Sequence, residues 1–183
     1  MEAIEKQAAR GIIVWLTGIS AAGKSTLARA CHQQLEALGY AASLLDSDRL
    51  RREISRDLGF SAADRELHVH RMAMLAADHA RRGQIAIVAA ISPFRSGRED
   101  ARAAVDMFLE VFVDAPLAVC EQRDPLGLYR RFRNHQVTGL AGVDAPYDVP
   151  TQPDVHCHTD LQTIEECTAT IIAATIARLK QAT

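Results

Sequence analysis

Gly18-Ile19-Ser20-Ala21-Ala22-Gly23-Lys24-Ser25, with Thr26 following, fits the phosphate-loop pattern G-x-x-x-x-G-K-[ST]. The spacing has a physical reason. The loop wraps a polyphosphate with backbone N–H groups, and side chains at Gly18 and Gly23 would obstruct that approach. Lys24 is placed to reach the β- and γ-phosphates and Ser25 to put its hydroxyl on Mg²⁺. A helix starting near Gly23 adds its positive N-terminal end to the anion site. Ile12-Ile13-Val14-Trp15-Leu16 reads as a buried parallel strand before the loop, and Leu27, Cys31, Leu35 and Leu38 recur at helical spacing after it. Strand, loop and helix stand in the required order, so the chain is expected to bind a nucleoside triphosphate.

Outward from the loop, Gly39 is placed to end the first helix. A second short strand, Ala41–Leu45, leads into Asp46-Ser47-Asp48, with Asp48 a candidate N-cap for a helix over 49–54. Two carboxylates thus sit at a strand's C-terminal end, where open α/β sheets bind ligands. A long helix is expected from Ser61 to Gly83. Ile85–Ile91 is a continuous apolar strand delivering Ser92-Pro93-Phe94-Arg95 to the same edge. A helix over 98–106, a strand over 107–113 and a short helix to about Gln122 follow. From Arg123 to Pro153, four Pro, three Gly and the run Arg130-Arg131-Phe132-Arg133 break any periodicity, which predicts a mobile lid whose cations meet the polyphosphate on closure. Asp154–Thr159 reads as the last strand and Ile164 to Leu179 as an amphipathic closing helix. Residues 1–10 read as a short helix or tail. The recurring β-α units predict a three-layer α/β sandwich with a five-stranded parallel sheet.

At 183 residues and 48% hydrophobic content, one domain over 1–183 is expected. A net charge of −2 gives no global attraction to nucleic acid or to an anionic membrane. No apolar run approaches the roughly 20 residues needed to cross a bilayer. Four scattered cysteines without a C-x-x-C pair, and a start lacking the apolar core of a signal peptide, point to the cytoplasm.

Together with Trp15-Leu16-Thr17-Gly18, the segments Leu45-Asp46-Ser47-Asp48, Asp57-Leu58-Gly59-Phe60-Ser61, Asp64-Arg65, Ile91-Ser92-Pro93-Phe94-Arg95, Cys120 to Tyr129 and Gly142 to Tyr147 carry a further reading. Their ensemble resembles the adenylyl-sulfate kinases, P-loop nucleotide kinases that phosphorylate the ribose 3′-hydroxyl of adenosine 5′-phosphosulfate with MgATP in sulfate assimilation. The resemblance implies that Gly18 to Thr26 hold ATP and that Ser25, Asp46 and Asp48 lie at the Mg²⁺, with Lys24 and Asp48 catalytic and Asp48 orienting the 3′-hydroxyl. It implies an acceptor site of Asp46, Asp48, Arg51, Phe60, Arg65, His68, Ile91, Ser92 and Leu140, in which Phe60 stacks on the adenine. Family practice often labels the serine at position 92 a phosphoserine intermediate. Direct in-line transfer needs no covalent step, so Ser92 is expected as a site residue and not as a nucleophile. A homodimer is a further implication of the resemblance.

The departures gather on the acceptor side. Ser47 replaces a Gly between the two aspartates, His68 stands where an Asn is usual, and Leu140 replaces a Phe that completes the adenine sandwich, while Ala21 is a mild replacement of a loop Gly. Two alternatives follow: the same phosphoryl transfer to another nucleotide-linked or small hydroxyl compound, or a nucleotide-binding module without catalysis. His156 and His158 fall on one strand face with Cys157 on the other, and His68, His70 and His79 form no i, i+4 pair, so structural or surface histidines are expected rather than a metal site.

Overall fold

In the computed structural model, residues 11–181 are described; the N-terminal reading of residues 1–10 lies outside them. Every residue of β1 (Ile12–Thr17) and of β3 (Ile85–Ala89) is buried, as the unbroken apolar runs require of strands covered on both faces. With β2 (Ala42–Asp46), β4 (Phe108–Asp114) and β5 (Val155–His158) they form one sheet of order β2-β3-β1-β4-β5, parallel throughout. The three-layer sandwich expected from the sequence is therefore present.

On one face, Leu27, Cys31 and Leu35 of α1 (Lys24–Ala37) pack with Cys167 and Ile171 of α7 (Ile164–Gln181) against Val14, Leu16 and Val111. On the other, Val69, Met72 and Ala76 of α3 (Ala62–Arg81) and Ala101 of α4 (Arg95–Ala103) cover Ile13, Trp15 and Val88. Fully burying each large side chain contributes about 1.5–3 kcal/mol, so these two layers fix the sheet on which the site is built. Trp15 is wholly buried and also donates its indole N–H to Ser92 Oγ at 3.0 Å.

Several boundaries move, those of α2 and α4 with a polar contact behind them. β2 runs one residue further than expected and turns directly into α2 (Ser47–Ile54), leaving Asp46 as the cap. Its carboxylate accepts from the N–H groups of Asp48 and Arg49 at 3.0 and 3.3 Å, so the capping role expected of Asp48 belongs to Asp46. β3 stops at Ala89, not Ile91. α4 starts at Arg95 rather than 98 because the Asp148 carboxylate, 53 residues away, accepts from Arg95 N–H at 2.9 Å.

The 123–153 segment contains the end of α5 (Leu117–Arg123) and the short α6 (Leu128–Arg133), and it is anchored at several points. Tyr129 is buried, Leu140 and Ala141 are buried, and Asp148 N–H donates to Pro93 O at 2.7 Å. Between the first two anchors, Arg133 to Thr138 is largely exposed. Among the described residues no helix is long and apolar enough to cross a membrane.

Candidate active site

The phosphate loop closes tightly on the sheet. A Cβ at Gly18 would lie 2.2 Å from Val113 O, and Gly23 has φ +105° at the N-cap of α1, so both positions exclude side chains. Ala21 takes φ +60°, which makes the replacement of a glycine there a strained one rather than a mild one. Lys24 is 9% exposed and donates from Nζ to Ile19 O at 2.7 Å. Burial lowers its pKa to about 8, against the pull of Asp48, Cys120 and Asp46, so it is still cationic at neutral pH. Ser25 Oγ donates to Asp46 Oδ2 at 2.8 Å, joining the start of α1 to the end of β2. A hydroxyl and a carboxylate side by side are hard oxygen ligands of the kind Mg²⁺ takes, and the helix N-terminus beside them suits the polyphosphate.

Residues that sequence reasoning gave no role brace this loop. Tyr129 donates its hydroxyl to Ser20 O at 2.9 Å, and Thr159 donates Oγ1 to Ala22 O at 2.8 Å. Arg123 clamps Thr159 from outside, donating to its Oγ1 and its carbonyl at 3.0 and 2.6 Å. Arg123 and Tyr129 lay inside a motif used for the resemblance; no spacing rule pointed to Thr159.

Across the cleft, four separate segments supply the wall. Arg51 donates to Gly59 O at 2.6 Å and lays its guanidinium 4.6 Å from the centre of the Phe60 ring, which remains 70% exposed. Arg65 donates to Phe60 O at 2.9 Å and to Gly139 O at 2.6 Å, tying the turn before α3 to the 137–141 segment. His68 is buried, with Nε2 3.1 Å from Ser47 Oγ and Nδ1 2.9 Å from Ser55 Oγ. Desolvation and then the nearby Arg51 push its pKa down to about 4, so it is neutral at pH 7. Two of the departures, Ser47 and His68, are therefore one hydrogen-bonded unit holding both ends of α2 to α3. Leu140, 5% exposed, joins the apolar core on the α1 and α7 side.

Ser92 sits at the floor with φ +40°. Its hydroxyl accepts from Trp15 and points at Ala90 O at 3.4 Å, and its carbonyl accepts from Arg98 at 2.8 Å. Arg98, 3% exposed, also donates to Glu110 and to Asp148 O, so one buried guanidinium sets the Ser92 turn and the 148 loop together. The Ile91 carbonyl is held by Thr17 Oγ1 at 2.7 Å.

A single cleft of about 1180 Å³ runs between the two walls. Of the residues selected from the sequence, all line it except Gly18, Ile19 and Ala22, which lie behind the loop surface. Its volume exceeds the roughly 300–1,000 Å³ of a site for one small molecule and suits two ligands meeting end to end.

Sheet order, phosphate loop and facing carboxylates define a P-loop kinase of the nucleotide-kinase type. The sequence profile of the family described as Adenylylsulphate kinase matches residues 10–158, and the chain belongs to that family. It is 49% identical over 158 residues to the adenylyl-sulfate kinase of Synechococcus sp. (strain JA-3-3Ab), covering 86% of this chain and 90% of that protein. The adenylyl-sulfate kinase of Microcystis aeruginosa (strain NIES-843 / IAM M-2473) is 46% identical over 162 residues, covering 88% and 90%. The Mycobacterium tuberculosis APS kinase CysC, solved in complex with AMPPNP and APS, superposes with a TM-score of 0.87 at 39% identity, over 90% of this chain and 97% of that one.

Proposed function

We propose that the chain transfers the γ-phosphoryl group of MgATP to the ribose 3′-hydroxyl of adenosine 5′-phosphosulfate, giving 3′-phosphoadenosine 5′-phosphosulfate. The observation that carries this is the one continuous cleft joining the phosphate loop to the Arg51, Phe60 and Arg65 wall, with Asp48 exposed between them. ATP occupies the Lys24 side. Ser25 and Asp46 would hold Mg²⁺ there, which when bound would neutralise charge on the transferring group; Asp48, exposed two residues beyond Asp46, would share that role or take the proton of the acceptor hydroxyl. Lys24 follows the developing charge on the γ-phosphoryl oxygens. Arg51 and Arg65 supply cations for the phosphosulfate, and the open face of Phe60 takes the adenine.

The transfer is direct. Ser92 Oγ is buried between Trp15 and Ala90, and among the described residues no base is hydrogen-bonded to it, which supports a role in shaping the floor and not as a phosphoryl carrier. Closure over the phosphates falls to Arg133 to Thr138, the exposed span of the proposed lid, with Arg131 lining the cleft beside it. The four cysteines are free and buried, which fits a reducing cytoplasm, and the active form is proposed to be a homodimer.

A second reading keeps the chemistry and changes the acceptor to another nucleotide-linked or small hydroxyl compound. Leu140 favours it, because an aliphatic side chain turned into the core leaves the adenine with one aromatic wall. A non-catalytic module is disfavoured by Lys24, Ser25 and Asp48, all in place. ADP release measured with adenosine 5′-phosphosulfate and with a panel of other acceptors, using Lys24→Ala as the blank, separates the readings. Turnover with adenosine 5′-phosphosulfate alone supports the first, and its absence at millimolar concentration removes it.

A further inference from the structure

β4 and β5 pair with Asp114 opposite His158 and Phe112 opposite His156. Alternation along β5 sends Val155 and Cys157 into the core and leaves His156 and His158 exposed on one face. The face alternation expected from the sequence is present; the partner strand adds a third donor to it. The two imidazole rings lie 4.0 Å apart, and Asp114 Oδ2 is 3.1 Å from His156 Nε2 and 3.8 Å from His158 Nδ1. One ligand atom from each residue lies within 4.8 Å of the other two. A divalent ion with bonds of about 2.0–2.2 Å places neighbouring ligand atoms about 3–3.5 Å apart, so small side-chain rotations bring all three to one centre.

The donors are presented by rigid elements. Phe112, 7% exposed, stacks on the His156 ring at 4.8 Å and is itself backed by Tyr147. The Asp114 carbonyl accepts from Thr159 N–H at 2.9 Å. None of Asp114, His156 and His158 lines the nucleotide cleft.

We propose that Asp114, His156 and His158 bind a divalent transition-metal ion of the zinc, nickel or copper class on the exposed face of the β4–β5 pair. Two imidazole nitrogens and one carboxylate oxygen suit such ions, whereas Mg²⁺ takes oxygen ligands in a tight octahedron, so the site does not compete for the nucleotide's metal. Three protein ligands leave a coordination position for solvent. The ion ties β4 to β5 one residue before Thr159, the residue that braces the phosphate loop through Ala22 O. Binding to the folded chain alone stabilises it, and this clamp does so beside the loop.

The test uses the full, untagged chain without nucleotide. Calorimetric titration with ZnCl₂ in a non-chelating buffer is expected to show one ion per chain with micromolar affinity, undiminished by millimolar MgCl₂. Co²⁺ is expected to give ligand-field bands without the sulfur-to-metal charge transfer that the buried cysteines would produce. His156→Gln or His158→Gln weakens binding at least tenfold, and the double variant abolishes it while keeping the metal-free melting temperature and ATP turnover. Should the double variant fold poorly, the wild-type chain still decides: Zn²⁺ must shift the ring-proton NMR signals of His156 and His158 together. Absence of micromolar binding, equal binding by a folded double variant, a thiolate charge-transfer band, or unshifted His156 and His158 signals overturns the proposal.

Discussion

The two walls of the cleft are built by different means. The donor wall is one contiguous loop whose binding groups are backbone amides and whose side chains, Lys24 and Ser25, follow within two residues of Gly23. The acceptor wall gathers Ser47, Phe60, Arg65, His68 and Leu140 from separate segments, held by side chains reaching to distant carbonyls. A backbone loop accepts a side chain only at the cost of strain, as the left-handed Ala21 shows, whereas a wall of side chains can be altered one residue at a time. That difference explains why the departures from the family pattern lie mainly on the acceptor side.

The largest test of this contrast sets the two aspartates against each other. Asp48→Asn is expected to lower kcat by about 10²–10⁴-fold, the contribution of a positioned general base, with the melting temperature unchanged. Asp46→Ala instead loses the α2 cap as well as a metal donor, so activity falls together with about 0.5–2 kcal/mol of stability. Thermal melts beside steady-state kinetics check both.

Leu140→Phe rebuilds the missing wall. The KM for adenosine 5′-phosphosulfate should fall by about tenfold, within the 1–3 kcal/mol that a base–aromatic stack contributes, while the KM for ATP stays fixed. A fall in both, or in neither, would place adenine recognition elsewhere.

His68 provides a smaller, pH-dependent handle. Its folded pKa of about 4 lies below the ordinary 6.5, so between those values the unfolded chain binds the extra proton. Stability is flat above pH 6.5 on this account and is lost as pH falls from 6.5 towards 4. Denaturant melts of His68→Asn across that window should show a shallower slope than wild type, and acceptor KM should move more than ATP KM because α2 is held through Ser47.

The smallest effect is expected on the donor side. Ala21→Gly removes a left-handed alanine costing about 1–2 kcal/mol, offset by about 0.4–1 kcal/mol of added chain entropy in the unfolded state. A melting temperature slightly raised, with kinetics unchanged, is the predicted outcome of differential scanning calorimetry.

How much of this was legible in the sequence follows the same division. The phosphate loop and the apolar runs of β1 and β3 could be read directly, because their determinants lie within a few consecutive residues. Thr159 could not, since its hydrogen bond to Ala22 O spans 137 residues, and the start of α4 could not, since Asp148 reaches Arg95 N–H from beyond β4, α5 and α6. The cap falls on Asp46 and not on Asp48 because β2 runs one residue further than its local pattern indicates. Asp114 joined the two histidines only through the β4–β5 register, which no spacing in β5 encodes.

The central claim is direct transfer across one cleft, and a single-turnover experiment with γ-labelled ATP and adenosine 5′-phosphosulfate tests it most directly. The prediction is label appearing in the nucleotide 3′-phosphate with no labelled protein at any time point; label passing through Ser92, or none reaching the nucleotide, would contradict it.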